Sequence, residues 1–186
     1  MKRRRLHFIA LLAIVAVAAA VLSQLVLGSS DRVRIGNGSV SALARASTQA
    51  DALPAKVLAY PFAANNFASK NGDGSRLLRA EGTLRLFAVP GKAGMLCLIE
   101  VDDAEGTAGG ACADRHVLLT GSIFMADRQE DGSQLVVGLV GDGHTYAEAE
   151  GRRVPIRSNA FVLPGVAGSQ VKLGSATAEQ TVDLGG

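Results

Sequence analysis

Residues 76–101 read RLLRAEGTLRLFAVPGKAGMLCLIEV. Through this stretch the apolar residues shift toward a period of two, the period at which a β-strand buries one face. Glu81-Gly82 and Pro90-Gly91-Lys92-Ala93 break the run with turn-forming residues. The stretch therefore predicts three short strands, RLLRA, TLRLFAV and GMLCLIEV, connected by tight turns.

Toward the carboxyl terminus the same punctuation continues. SIFMA is followed by the turn Glu130-Asp131-Gly132-Ser133 and then QLVVGLV, and HTYAEAE follows Gly141-Asp142-Gly143. RRVPIRS, AFVL, SQVKLG and EQTVDL complete the series. Eight or more short strands without long helices between them predict a mainly β fold, a small antiparallel β-sandwich or barrel-like domain. Aromatic content is 4% with no tryptophan, so the core must be built from Val, Leu, Ile and Ala.

Toward the amino terminus the character changes. DALPAKVLAYP, from Asp51 to Pro61, predicts one short helix, with Asp51 as its cap, Pro54 in the first turn and Pro61 as its stop. Residues 28–50 are rich in Ser, Ala and Gly and weakly patterned, which predicts a juxtamembrane linker. Asn37-Gly38-Ser39 matches the glycosylation acceptor pattern, one that is common by chance.

MKRRRLHFIALLAIVAVAAAVLSQLVLGSS opens with Lys2, Arg3, Arg4 and Arg5 and runs apolar from Leu6 to Leu27. A helix over 6–27 would be about 33 Å long, enough to cross a hydrocarbon core of about 30 Å. The cationic cluster before it places residues 1–5 in the cytoplasm and residues 51–186 outside it as a β-rich domain. This predicts a signal-anchor helix, a single-pass protein of the cell membrane, and the lipid bilayer as one partner. The alternative is a signal peptide cleaved after Ala20, which would release a secreted ligand-binding module. Both readings export the domain.

Export decides how the two cysteines are read. Cys97 and Cys112 flank an acidic, glycine-rich stretch, and a cysteine pair in a small exported domain is most often a disulfide. Asp102, Asp103 and Glu105 favour solvent, while Gly106, Gly109 and Gly110 let the chain turn back. Closing a loop of this length contributes about 3 kcal/mol through loop entropy. Cys112, Asp114 and His116 alternate and would share one face of a strand, yet no second ligand pair completes a zinc site.

Several short motifs taken together, DALP, VPGKAGMLCLIEV, GGAC, VVGLVGDGHTYAEA and VPIRSNAFVL, form an ordered series. The series resembles a group of membrane-anchored, exported β-rich proteins of high-GC Gram-positive bacteria with no assigned activity. Gly141 and His144 stand where that group more often has Pro and Val. An arginine bias, 14 Arg to 5 Lys, fits such a source. The resemblance implies export, the paired cysteines and a β-rich domain, and no catalytic residue.

Charge and motifs exclude further classes. The four amino-terminal cations account for part of 19 basic residues, and the remaining 15 face 17 acidic ones. The exported part therefore lacks the basic footprint of a nucleic-acid binder. NGDGSR, from Asn71 to Arg76, starts like a calcium loop, but Arg76 falls where the loop needs glycine, so it reads as an exposed turn. No GxSxG elbow, P-loop or HExxH occurs, and no cofactor is expected. Asp142 with His144 could be drawn as a catalytic pair, though an exposed turn histidine is the expected state. The leading expectation is an extracytoplasmic domain that contacts an envelope protein partner. A small hydrolase or transferase using His116 or His144 is the remaining alternative.

Overall fold

The computed structural model describes residues 39–119 and 121–184. The expected signal-anchor helix at 6–27 lies outside the described residues. Among those described, no helix is long and apolar enough to cross a membrane.

The expected mainly β, antiparallel architecture is present. Among the described residues, eleven strands follow two short α-helices, α1 (Ala55–Leu58) and α2 (Pro61–Asn66). The first sheet is a meander of β1 (Arg76–Glu81), β2 (Leu84–Pro90), β3 (Met95–Asp102) and β4 (Thr107–Asp114). The second contains β5 (Ser122–Arg128), β6 (Gln134–Val140) and β9 (Ala160–Val166), in the order β5-β6-β9. The third contains β7 (Tyr146–Ala149), β8 (Arg152–Pro155), β10 (Gln170–Gly174) and β11 (Glu179–Asp183), in the order β11-β10-β7-β8.

Strand alternation sorts the apolar residues into three layers. Leu86, Ala88, Leu96 and Leu98 face Val137, Leu139, Ala160 and Val162, joining the first sheet to the second. Phe87, Val89, Cys97 and Ile99 lie on the opposite face of the first sheet, beneath Leu53, Val57, Ala63 and Phe67. Val136, Val140, Phe161 and Leu163 face Ala147, Val171 and Leu173 of the third sheet. The strands β3 and β6 are buried on both faces, which is why MLCLIEV and QLVVGLV are nearly continuous apolar runs. At their crowded centre Gly138 pairs with Phe161, and a Cβ on Gly138 would fall 2.2 Å from the ring. The ring occupies the space a side chain would need.

Two expectations are corrected. The segment 51–61 is not one capped helix. Pro54 is extended, α1 begins after it, and Pro61 starts α2 as its first residue instead of only ending a helix. The cause is local: a residue before proline is pushed out of the helical region, and proline itself fits the first helical position. Asp51 does not cap α1 but serves a different role, described below. The second correction concerns the glycine-rich stretch before Cys112. It forms a full strand, β4, paired with β3 from Asp102↔Thr107 to Met95↔Asp114.

Residues 39–50, the described part of the expected linker, are bound to the domain. Ala42 is buried, and the Ala42 N–H and Ser41 hydroxyl both donate to Asn159 Oδ1. The Asp142 N–H donates to the Ser39 carbonyl at 2.6 Å. Asn159 sits with Ser158 in a two-residue turn where both φ values are positive (48° and 65°), closed by paired hydrogen bonds between Arg157 and Ala160. Asparagine tolerates that conformation, and its side chain here holds the incoming segment to the β6–β7 loop.

Candidate functional site

Cys97 on β3 and Cys112 on β4 are direct partners in the register. Their sulfurs are 2.00 Å apart, at disulfide distance, and their Cα atoms are 4.0 Å apart. Such close Cα atoms mark a pair that exchanges no backbone hydrogen bonds. Gly91 lies against this pair, where a Cβ would meet Cys97 Sγ at 3.2 Å and the Asn66 carbonyl at 3.3 Å. The VPG turn is crowded at this glycine, because Met95, the end of helix α2 and the cysteine pair all press on it.

His116 does not share a strand face with Cys112 and Asp114. The strand β4 ends at Asp114, and His116 is exposed in the 3-10 turn Arg115–Leu119. Among the described residues no group of three or more His, Cys, Asp or Glu side chains could hold a metal ion.

His144 is buried, contrary to the expected exposed turn histidine. Its Nδ1 lies 3.0 Å from the Gly141 carbonyl and its Nε2 lies 3.2 Å from the Gln180 amide nitrogen. A neutral ring satisfies both contacts, with Nδ1–H donating to Gly141 and Nε2 accepting from Gln180. Burial pushes its pKa below the ordinary value, partly opposed by the Gly141 carbonyl. Asp142 is not aimed at His144; its Oδ1 accepts from the Ser41 N–H and the Asn159 amide. The ring bridges the β6–β7 turn to β11, a packing role.

A carboxyl group sits on the opposite side of the first sheet. Glu100 is buried on the face that carries Leu96 and Leu98, pointing toward β5. Burial pushes its pKa up to about 7, aided by the charge and hydrogen bond of Asp127 and by Asp102. Its register partner is Gly109, which puts no side chain over it.

The open surface beside β4 gathers the remaining features. Val57, Tyr60 and Phe62 on the helical side, with Ile99, Ala108 and Gly110 on the sheet, line a groove of about 230 Å³. Tyr60, 40% exposed, is a large apolar side chain left at the surface. Gly110 shapes the groove, because a Cβ there would meet Ile99 Cδ1 and Phe62 Cε1 at 2.7 Å each. Sequence reasoning passed over this groove, since its sheet wall is built from alanine and glycine and carries no motif. Comparison of the chain with protein-family models, curated proteins and solved structures finds no match.

Proposed function

We propose that the chain is a single-pass membrane protein with residues 1–5 in the cytoplasm and a signal-anchor helix at 6–27. Its β domain is displayed on the extracytoplasmic side and works by contact with another envelope component. The apolar run, its cationic flank and the resemblance to anchored exported proteins support the topology. The cysteine pair at disulfide distance supports an oxidising compartment.

The observation that carries the contact reading is the apolar groove beside β4, with Tyr60 left exposed at its rim. Fractionation of the native protein tests the topology, together with a mass measurement of its amino terminus. Recovery in the membrane fraction with residues 6–27 retained is the expected result. A soluble exported protein beginning at Val21 would replace the anchored reading with the secreted one. Recovery in the cytosol with both thiols alkylatable would defeat both.

A further inference from the structure

In the first sheet β4 is an edge strand, with β3 as its only partner. The direction of its free backbone groups follows from hydrogen bonds already present. The Asp103 N–H donates to the Thr83 carbonyl and the Gly91 N–H to the Met95 carbonyl, so odd-numbered residues of β3 bond to β2. Even-numbered residues of β3 must then bond to β4, through Thr107, Gly109, Ala111 and Ala113. The N–H and C=O groups of Ala108, Gly110 and Cys112 consequently point away from β3. Among the described residues no backbone group bonds to them.

An exposed row of this kind is usually blunted by Lys, Pro or a bulge. Within β4, between Thr107 and Asp114, there is only Ala, Gly and Cys. Residues of a strand added here and standing opposite Ala108, Gly110 and Cys112 would place their side chains on the helical face, over the groove. Those standing opposite Gly109 and Ala111 would face the other way, toward Glu100 and Asp127.

We propose that the β4 edge binds an extended peptide segment of a partner protein. That segment completes the sheet as a fifth strand, inserts an apolar side chain between Tyr60 and Gly110, and carries a cationic side chain at the neighbouring position. The charge requirement follows from the carboxylates at this end of the sheet. Asp103 is ion-paired, with Arg85 at 2.6 Å and Lys56 at 3.6 Å. Glu100, Asp102, Glu105 and Asp127 have no ion-pair partner among the described residues. A lysine beside Gly109 would pass over a position that carries no side chain, alongside Met125, to reach Glu100.

A second copy of this strand is a poor occupant. Its residues on the groove side would be Ala108, Gly110 and Cys112, all too small to fill the space under Tyr60. Strand addition gives affinity through the main chain and specificity through alternate side chains, which matches the two halves of this surface.

This inference deepens the contact reading and rests on it for biological context, yet its test uses binding alone. The probe is a capped seven-residue peptide with valine, phenylalanine and valine at alternate positions and lysine next to the phenylalanine. Its binding to the domain in residues 39–186 of the full protein, held in detergent, is followed by NMR amide exchange. On saturation, exchange at Ala108, Gly110 and Cys112 should slow by at least about tenfold. Ala108→Pro removes an outward N–H without touching the β3 ladder, so it should keep the Tm and weaken binding at least about tenfold. Tyr60→Glu should do the same from the groove side. Replacing the peptide's lysine by glutamate should weaken binding, and salt should reduce the difference.

Slow exchange at those three amides in the free protein would overturn the proposal. So would equal binding by Ala108→Pro, or a peptide-independent dimer that Ala108→Pro dissociates. If the protein fractionates with the cytosol while the peptide still binds, the anchored topology fails and the edge site stands. Correct fractionation without peptide binding does the reverse.

Discussion

Asp51 is 1% exposed, and five donors converge on its carboxylate. They are two Arg45 guanidinium nitrogens, the Thr48 N–H and hydroxyl, and the Leu77 N–H. The Arg45 bond, more than any other, holds its pKa well below the usual carboxylate range, against the opposing effect of burial. The residue therefore ties the amino-terminal segment to the start of β1. Asp51→Asn turns an acceptor toward donors it cannot satisfy, and should cost about 2–3 kcal/mol in urea unfolding, allowing for the partly exposed Arg45. Because the folded pKa is depressed, the stabilisation is present above the unfolded value of 3.8 and is lost as the pH falls through the folded one.

Two other groups titrate with opposite sign. Glu100, raised from 4.5 to about 7, binds more protons in the folded state, so its contribution is fully present below 4.5 and disappears as the pH rises through about 7. Its size is at most about 3 kcal/mol. His144 is depressed below 6.5, so the unfolded state binds more protons and stability is lost on acidification below that value. In Glu100→Gln, the urea midpoint should therefore rise from pH 5 to pH 7; in His144→Gln it should fall over the same interval. A pH-independent midpoint in both variants would contradict the burial of both groups. The sequence singled out Asp51 as a helix cap and His144 as an exposed turn residue, and Glu100 not at all; the buried role of each was not legible in it. A turn of the type Gly-Asp-Gly-His reads as exposed, and the contact of His144 with Gln180, from a strand 36 positions away, is not visible in it.

At the scale of elements the strands were legible where packing is two-sided or alternating. MLCLIEV and QLVVGLV are apolar because both faces are covered, and QVKLG alternates because one face is wet. The strand β4 was not legible. Glycine and alanine have weak strand preference, and the stretch carries no apolar face of its own. Its conformation is imposed by the ladder to β3 and by the Cys97–Cys112 pair. Replacing both cysteines by alanine should lower stability by about 3 kcal/mol and speed amide exchange in β4 well before β6, measured by urea unfolding and hydrogen exchange. In β6, Gly138→Ala would press into the Phe161 ring and should cost about 1–3 kcal/mol in thermal unfolding. A neutral outcome would mean that the ring can leave its place.

For the whole domain, residues 39–50 behave as part of the structure. They contribute Ala42 to the core between the first two sheets and Arg45 to the Asp51 site. A chain truncated to 51–186 should therefore melt below one that begins at residue 39, by several degrees in calorimetry. Equal melting temperatures would return this segment to the status of a tether.

From sequence come the mainly β class, the positions of most strands and turns, the cysteine pairing and the expectation of export. All of these depend on properties read within a window of a few residues: periodicity, turn chemistry, hydrophobic length and charge. Tertiary structure alone decided the division into three sheets, the burial of His144 and Glu100, the docking of residues 39–50, and the open edge beside Tyr60. Each of those depends on which distant segments meet, and contact between segments far apart in the chain leaves no local period to read.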